Sequence, residues 1–391
     1  MDYSAESLKL HQTLKGKLSV HPKLHITDRN SLSLTYTPGV AAPCLEIEKN
    51  PAKCYELTGR GNTVAVITDG TAVLGLGDIG PEASMPVMEG KCLLFKEFAD
   101  IDAIPICVRT KNVTEFANAV ALLAGSFGGI NLEDIAAPRC FEIENLLQQK
   151  CDIPVFHDDQ HGTAVVVLAA VLNACRLTGR TLSSLKTVIC GAGAAGIAIM
   201  KLLRSAGVTD ITMCDIGGII YPGREDLNSA TKEAARITNL SHKRGTLRDA
   251  LPGSDLFIGV SAPNLLTEDM IASMAENPFV FALANPLPEI MPKNAHRAGA
   301  YIVGTGRSDY PNQINNLLAF PGIFKGVLQA HAARINDAML IAAAHALSSL
   351  VTDTQLSTDF ILPSPLDHSV AETVAVSVAQ AAKDSQVPLT H

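Results

Sequence analysis

Charge is scarce in this 391-residue chain: 18% of its residues are charged, against 47% hydrophobic. It has no block of lysines and arginines, which argues against a nucleic-acid footprint, and its formal net charge of -8 is only mildly acidic. The nine cysteines include no CxxC pair, and several sit in apolar runs, such as Cys190 in Thr187-Val188-Ile189-Cys190. A disulfide framework is thereby excluded, and reduced, buried thiols of a cytoplasmic protein are expected. Residues Met1 to Ser7 lack the apolar core of a secretory signal. The longest apolar stretch, Thr163 to Cys175, is too short to span a bilayer and contains Asn173, so it reads as a buried helix. What remains is a soluble protein with neither nucleic acid nor membrane as an expected partner.

With 29 glycines and 21 prolines, the composition suits a compact α/β enzyme, and the length calls for two domains. Residues Met1 to about Arg29 are polar with helical spacing. Strands are then predicted at Thr63–Thr68, Ala103–Val108, Ile130–Ile135 and Ile153–Phe156, with helices at Pro86–Phe98 and Thr114–Ser126. Functional-looking residues fall at the strand ends, where open α/β sheets place their clefts. A second unit begins near His161, with strands at Leu185–Cys190, Asp210–Cys214, Asp255–Val260, Phe279–Leu283 and Tyr301–Gly304. Strands alternating with helices imply a parallel, doubly wound sheet. Ala338–Val351 and Val370–Ala382 read as helices that pack on a flank or return to the first domain. The expected division is 1–160 and 161–391.

Gly191-Ala192-Gly193-Ala194-Ala195-Gly196 fits G-x-G-x-x-G, with a strand before it, a helix after it and Asp215 ending the next strand. This is the context of a dinucleotide site. The glycines permit a tight turn and close approach to a pyrophosphate at the helix N-terminus, and Asp215 accepts hydrogen bonds from the adenosine ribose. Asp215 would repel a 2′-phosphate, which favours NAD, whereas Arg224 in the following loop could offset that charge and admit NADP.

Two acidic pairs, Glu133-Asp134 and Asp158-Asp159, follow predicted strands. Adjacent carboxylates repel, and burial raises the cost, so a positive charge is expected between them. An all-oxygen set suits Mg²⁺ or Mn²⁺, although solvated loop acids are the plainer alternative. His157 and His161 flank the second pair and read as structural groups rather than ligands. Lys91, with apolar neighbours on its C-terminal side, is either a proton-transfer group tuned by a carboxylate or an exposed helix lysine. Tyr36 precedes Pro38-Gly39, a pair with the preference of a type II turn.

Together these segments resemble the malic enzyme family. The matching pieces are Tyr36 to Ala41, Gly75 to Gly80, Glu89-Gly90-Lys91 through Lys96, Leu132-Glu133-Asp134, Phe156 to Thr163, Gly191 to Gly196, Phe281 to Pro286, and Asn315-Asn316 ahead of Phe320-Pro321-Gly322. They run in the family's order over nearly the whole chain, whose length is similar to the short, bacterial-type members.

The resemblance implies an N-terminal α/β substrate and metal domain followed by a Rossmann-like domain. It implies oxidative decarboxylation of L-malate to pyruvate with NAD or NADP and a divalent metal, Mn²⁺ or Mg²⁺, in a homodimer. It also implies roles. Tyr36 matches the general acid and Lys91 the general base, with Asp158 beside it. Glu133, Asp134 and Asp159 match the metal ligands, and Asn285 and Asn316 match residues near nicotinamide and substrate. Larger members carry an arginine soon after the Thr-Asp-Gly turn. Here Thr68-Asp69-Gly70 continues as Thr71-Ala72-Val73, so the substrate carboxylate has no assigned anchor. Oxaloacetate decarboxylation and malolactic conversion suit the same motifs. A non-catalytic dinucleotide sensor would need only the Gly191 turn.

Overall fold

Two parallel sheets organise the chain in the computed structural model, which describes residues 3–73 and 75–390. The first sheet has four strands, β1 (Thr63–Thr68), β2 (Asp102–Cys107), β3 (Gly129–Leu132) and β4 (Val155–His157), in the order β2-β1-β3-β4. The second has six: β5 (Lys186–Cys190), β6 (Asp210–Asp215), β7 (Gly218–Ile219), β8 (Leu256–Gly259), β9 (Phe279–Ala282) and β10 (Ile302–Thr305). Their order is β10-β9-β8-β5-β6-β7, parallel except for the short β7. The chain reverses its winding between β1 and β3 in one sheet and between β5 and β8 in the other. Ligand crevices of open α/β sheets open at such reversal points, at the C-terminal strand ends.

The fold class is the doubly wound α/β arrangement anticipated, but several local expectations change. The strand predicted over Ile130–Ile135 stops at Leu132, because Asp134 turns into the left-handed region at φ 54°. The helical spacing of the first residues yields a helix only over Tyr3–Leu14, since Lys15 and Gly16 both take positive φ; Met1 and Asp2 lie outside the described residues. Pro38-Gly39 does not form a type II turn, which would need Gly39 at positive φ. Instead these residues join the Arg29–Thr35 and Ala41–Lys49 helices, with the Val40 amide donating to the Tyr36 carbonyl at 2.7 Å.

The apolar stretch around Thr163–Cys175 lies in a longer helix, Asp158–Thr178, whose length and composition alone would suffice to cross a membrane. It is nevertheless a core helix. Val165 to Val171 are all fully buried, and it packs against the Ala194–Ser205 and Asp337–Ser349 helices. One continuous core joins the two sheets. The Phe320–Gln329 helix packs on the Pro81–Ala99 helix, with Phe95 edge-on to Phe320 and Phe324 at ring-centroid distances of 4.7 and 5.3 Å. The C-terminal segment thus returns to the first sheet. All nine cysteines are free; six are buried, Cys54 and Cys107 are partly buried, and Cys44 is exposed.

Asn173 shows how a polar group is accommodated in this core. Its amide donates to the carbonyls of Ser348 and Ile361 at 3.1 and 2.8 Å and accepts from the Ser348 hydroxyl at 2.8 Å. Asn173→Ala strands these partners without water. It should cost about 1–3 kcal/mol, seen as a lower thermal unfolding midpoint; an unchanged midpoint would refute this account.

Candidate metal and dinucleotide site

The register of the first sheet assembles the acidic residues. Leu132 of β3 pairs with Ile67 of β1 and with His157 of β4, so Glu133 and Asp158 leave adjacent strands side by side. The Glu133 amide donates to the Ile67 carbonyl at 2.9 Å, and the Asp134 amide to Asp159 Oδ2 at 2.8 Å. Asp158 and Asp159 open the Asp158–Thr178 helix, where the positive end of the helix dipole favours their charge. Ligand oxygens of Glu133, Asp134 and Asp159 lie within 4.8 Å of one another. Asp134 Oδ2 is buried and without a hydrogen-bond partner among the described residues.

Lys91 is brought to this edge by the Pro81–Ala99 helix. Its ammonium donates to Asp158 Oδ2 and lies 3.0 Å from Glu133 Oε1, with the Phe320 ring centroid 4.0 Å away. Lys91 is nearly buried and Asp158 fully so. Burial works against the ammonium, but the carboxylates of Asp158 and Glu133 outweigh it and hold the Lys91 pKa above its ordinary value. Burial raises Glu133, and Asp159, Asp158 and Asp134 add repulsion, although Lys91 pulls back. Burial, followed by the charge of Asp159, pushes the Asp134 carboxyl up to about 8. Asp158 is likewise raised by burial, against the pull of Lys91. One ammonium therefore faces four carboxylates, three of them resisting ionisation. The orphaned Asp134 oxygen and the convergent all-oxygen set fit a divalent cation of the Mg²⁺ or Mn²⁺ kind.

The neighbours are specific. Asn131 donates to Glu133 Oε2 at 2.9 Å. His161 Nε2 lies 2.8 Å from Glu144 Oε1, and Glu144 also accepts from the His157 amide and Gln160, so His161 faces a buried acid away from the cluster. His157 is fully buried, its Nδ1 3.9 Å from Asp159 Oδ2. Gly162 is required: a Cβ there would lie 1.9 Å from Asp158 Oδ1 and 3.2 Å from the Asn316 Cβ. Asn316 is thereby placed beside Asp158.

The second sheet supplies the turn anticipated for a dinucleotide. Gly191 takes φ +115°, and a Cβ on it would meet the Val260 carbonyl at 2.6 Å, across the reversal between β5 and β8. A Cβ on Gly196 would strike the Gly191 carbonyl at 1.9 Å, whereas one on Gly193 would meet nothing within 4 Å. The first and third glycines thus serve backbone packing, and the second leaves open space at the N-terminus of the Ala194–Ser205 helix, where Ala194 and Ala195 form the first turn. Asp215 ends β6, with Oδ1 accepting from the Gly217 amide at 2.8 Å and Oδ2 from Arg224.

Asn285 follows β9, and its amide lies under Gly306. The adjacent Pro286 comes within 3.3 Å of where a Gly75 Cβ would stand, so the loop after β1 meets the loop after β9. The acidic edge and the dinucleotide crevice are joined there. Tyr36 is not brought to the cluster. It is 67% exposed.

Two residues with structural leverage over the site were not singled out from sequence. Glu289 is fully buried and accepts from the Ser261 and Ala284 amides at 2.9 and 3.1 Å, tying the loops after β8 and β9. Arg139 donates to Asp69 Oδ2 at 2.6 Å and Thr71 Oγ1 at 2.8 Å, bracing the Thr-Asp-Gly turn that lacks an arginine of its own. An acid soon after Asn285-Pro286 was the available signal for Glu289; nothing local marks Arg139.

Gly162→Ala is expected to fold and to displace the Asp158 carboxylate from Lys91. A misplacement of about 1 Å costs on the order of a hundredfold in turnover. Steady-state kinetics beside a circular-dichroism spectrum would check this; near-normal turnover would contradict it.

Comparisons with known proteins identify the family. The family model "Malic enzyme, N-terminal domain" matches residues 15–118, and "Malic enzyme, NAD binding domain" matches residues 160–383. A bifunctional malic/malolactic enzyme of Bacillus subtilis is 54% identical over 99% of this chain and 95% of its own length. An NADP-dependent malic enzyme of Halomonas elongata is 48% identical over 99% of this chain and 93% of its own. The crystal structure of an NAD-dependent malic enzyme from Thermotoga maritima superposes with a TM-score of 0.92 at 48% identity, covering 95% of this chain and 98% of that one. The chain belongs to the malic enzyme family.

Proposed function

We propose that this chain oxidatively decarboxylates L-malate to pyruvate and carbon dioxide while reducing a nicotinamide dinucleotide. The observation that carries the reading is Lys91, paired with Asp158, beside three convergent carboxylates at a strand edge whose loops touch those of a dinucleotide crevice. In this reading residues 1–160 form the catalytic and metal domain, and 161–391 the dinucleotide domain with its C-terminal helices. The protein works as a soluble cytoplasmic enzyme.

Glu133, Asp134 and Asp159 would hold Mn²⁺ or Mg²⁺, which supplies Lewis-acid polarisation of the substrate's 2-oxygen and offsets enolate charge. The dinucleotide, NAD in preference to NADP, supplies the hydride acceptor. Gly191, Gly193, Ala194, Ala195 and Gly196 would hold its pyrophosphate, and Asp215 its ribose. Lys91, once its ammonium proton has passed to Asp158, takes the proton of the malate 2-hydroxyl as hydride leaves C2. Compensating the charges of Glu133 and Asp159 would leave Asp158 as the one carboxylate of three that still holds Lys91 as an ammonium, and Asp158, with Oδ1 unpartnered, accepts the ammonium's proton. Asn285 and Asn316 orient substrate and nicotinamide. After carbon dioxide departs, Tyr36 protonates C3 of the enolate to give pyruvate.

The position of Tyr36 supports a homodimer. No residue of the Tyr3–Leu14, Arg29–Thr35 and Ala41–Lys49 helices is buried, and Leu8, Val20, Leu34 and Tyr36 all stand exposed. The segment is anchored through Lys17, whose amide donates to Glu89 at 3.0 Å and whose ammonium donates to the Pro86 carbonyl at 2.7 Å. A second copy would cover this apolar surface, and Tyr36 would enter the partner's site.

The first test is nicotinamide reduction by purified protein with L-malate and Mn²⁺, pyruvate being assayed alongside. Stoichiometric products, abolished by chelation and by Asp159→Asn, are expected. Lactate without net reduction would favour the malolactic reading, which the 54% identity to a bifunctional malic/malolactic enzyme also supports. Pyruvate from oxaloacetate alone would mark a decarboxylase. Nucleotide binding without turnover or metal uptake would mark a sensor.

Tyr36→Phe should slow pyruvate formation from oxaloacetate by about 10²–10⁴-fold, the range of general acid catalysis, and spare hydride transfer. Equal losses in both partial reactions would refute the division of roles. Mixing inactive Tyr36→Phe and Lys91→Ala proteins should restore up to about a quarter of the sites, as random re-pairing gives; no recovery in demonstrated hybrids would place Tyr36 in its own subunit's site.

A further inference from the structure

The guanidinium of Arg224 offers five N–H donors. Nε donates to Asp226 Oδ1 at 2.7 Å; Nη2 donates to Asp226 Oδ2 at 3.0 Å and to Asp215 Oδ2. Nη1 donates to the carbonyls of Gly218 and Ile219 at 3.2 and 3.3 Å. Every donor is thus committed within the protein, and the side chain is only 9% exposed. A Cβ on Gly217 would stand 3.1 Å from both Arg224 Nη2 and Asp226 Oδ2, so the loop closes directly over this clamp.

Asp215 keeps acceptor capacity, because each of its oxygens is met by one donor while offering two lone pairs. Free 2′- and 3′-hydroxyls can donate to it. A 2′-phosphate has no proton to donate. It also brings about two negative charges to a place where the Arg224 cation is already engaged by two carboxylates. Asp226 takes the Nε–Nη2 face of Arg224, the paired geometry that binds phosphate bidentately.

We propose that Asp226 is a specificity-determining residue: by occupying Arg224 it keeps the ribose subsite selective for the unphosphorylated dinucleotide, and removing its charge releases Arg224 to bind a 2′-phosphate. This rests on the dinucleotide reading above and assigns Asp226 a positioning role, with no contact to the reacting atoms.

Titration of 2′,5′-ADP and of 5′-AMP into substrate-free protein by calorimetry tests it without turnover. Asp226→Asn should improve 2′,5′-ADP binding relative to 5′-AMP about fivefold to tenfold at low salt, less at high salt, as expected for removing a nearby surface charge. The ratio of kcat/KM for NADP⁺ to that for NAD⁺ should rise in parallel, and the gain should vanish in Asp226→Asn/Arg224→Met. An unaltered protein that already prefers 2′,5′-ADP, an unchanged ratio in Asp226→Asn, or a gain that survives loss of Arg224 would each overturn the proposal. Failure of the catalytic reading would appear separately, as absence of malate-dependent reduction with either cofactor.

Discussion

Repulsion among Glu133, Asp134, Asp158 and Asp159 is the constraint around which the first sheet is built. Three buried carboxylates and the partly exposed Asp159 share a strand edge with one ammonium, and that arrangement is costly unless further positive charge arrives. Each local device lowers the cost. The helix dipole acts on Asp158 and Asp159, Asn131 satisfies one oxygen of Glu133, and the Asp134 amide satisfies one of Asp159. Phe320 closes the ammonium off from water. The remaining deficit suits the edge to a divalent cation.

The second sheet solves a different problem by steric means. Its turn carries no charged side chain; Gly191 and Gly196 let backbones approach within distances that any Cβ would forbid, and Gly193 leaves open space. Charge enters beside it, through Asp215, Arg224 and Asp226 at the end of β6 and through Glu289 between the loops after β8 and β9. The two sites are therefore separable in kind, one electrostatic and one geometric, and they meet where Gly75 approaches Pro286 and where Gly162 admits Asn316.

Much of this was legible in the sequence wherever the signal was local. β-branched runs marked β1 and β5, and the helix over Ala194–Ser205 followed from its glycine turn. The acidic pairs stood out because adjacency is visible in one dimension. What escaped were long-range partnerships. Arg139 meets Asp69 across 70 positions, and Phe320 lies under Lys91 only because the C-terminal helices fold back onto the first sheet. The role of Gly162 depends on the side chain of Asp158 one helical turn earlier, and a single glycine in a helix announces no such contact. Tyr36 was marked by its motif alone, and its exposure needed coordinates.

The Asp158–Thr178 helix begins with two of the acidic residues and continues as an apolar rod packed along the Ala194–Ser205 helix, whose own first turn faces the open space at Gly193. The spacing between the cation's carboxylates and the pyrophosphate turn is consequently set by the interdigitation of two helices, not by a loop. Close-packed interiors transmit small changes of volume as rigid displacements. Fully buried residues of this shared core, such as Val166 and Ile199, therefore act as shims in a ruler that spaces the acidic edge from the glycine turn.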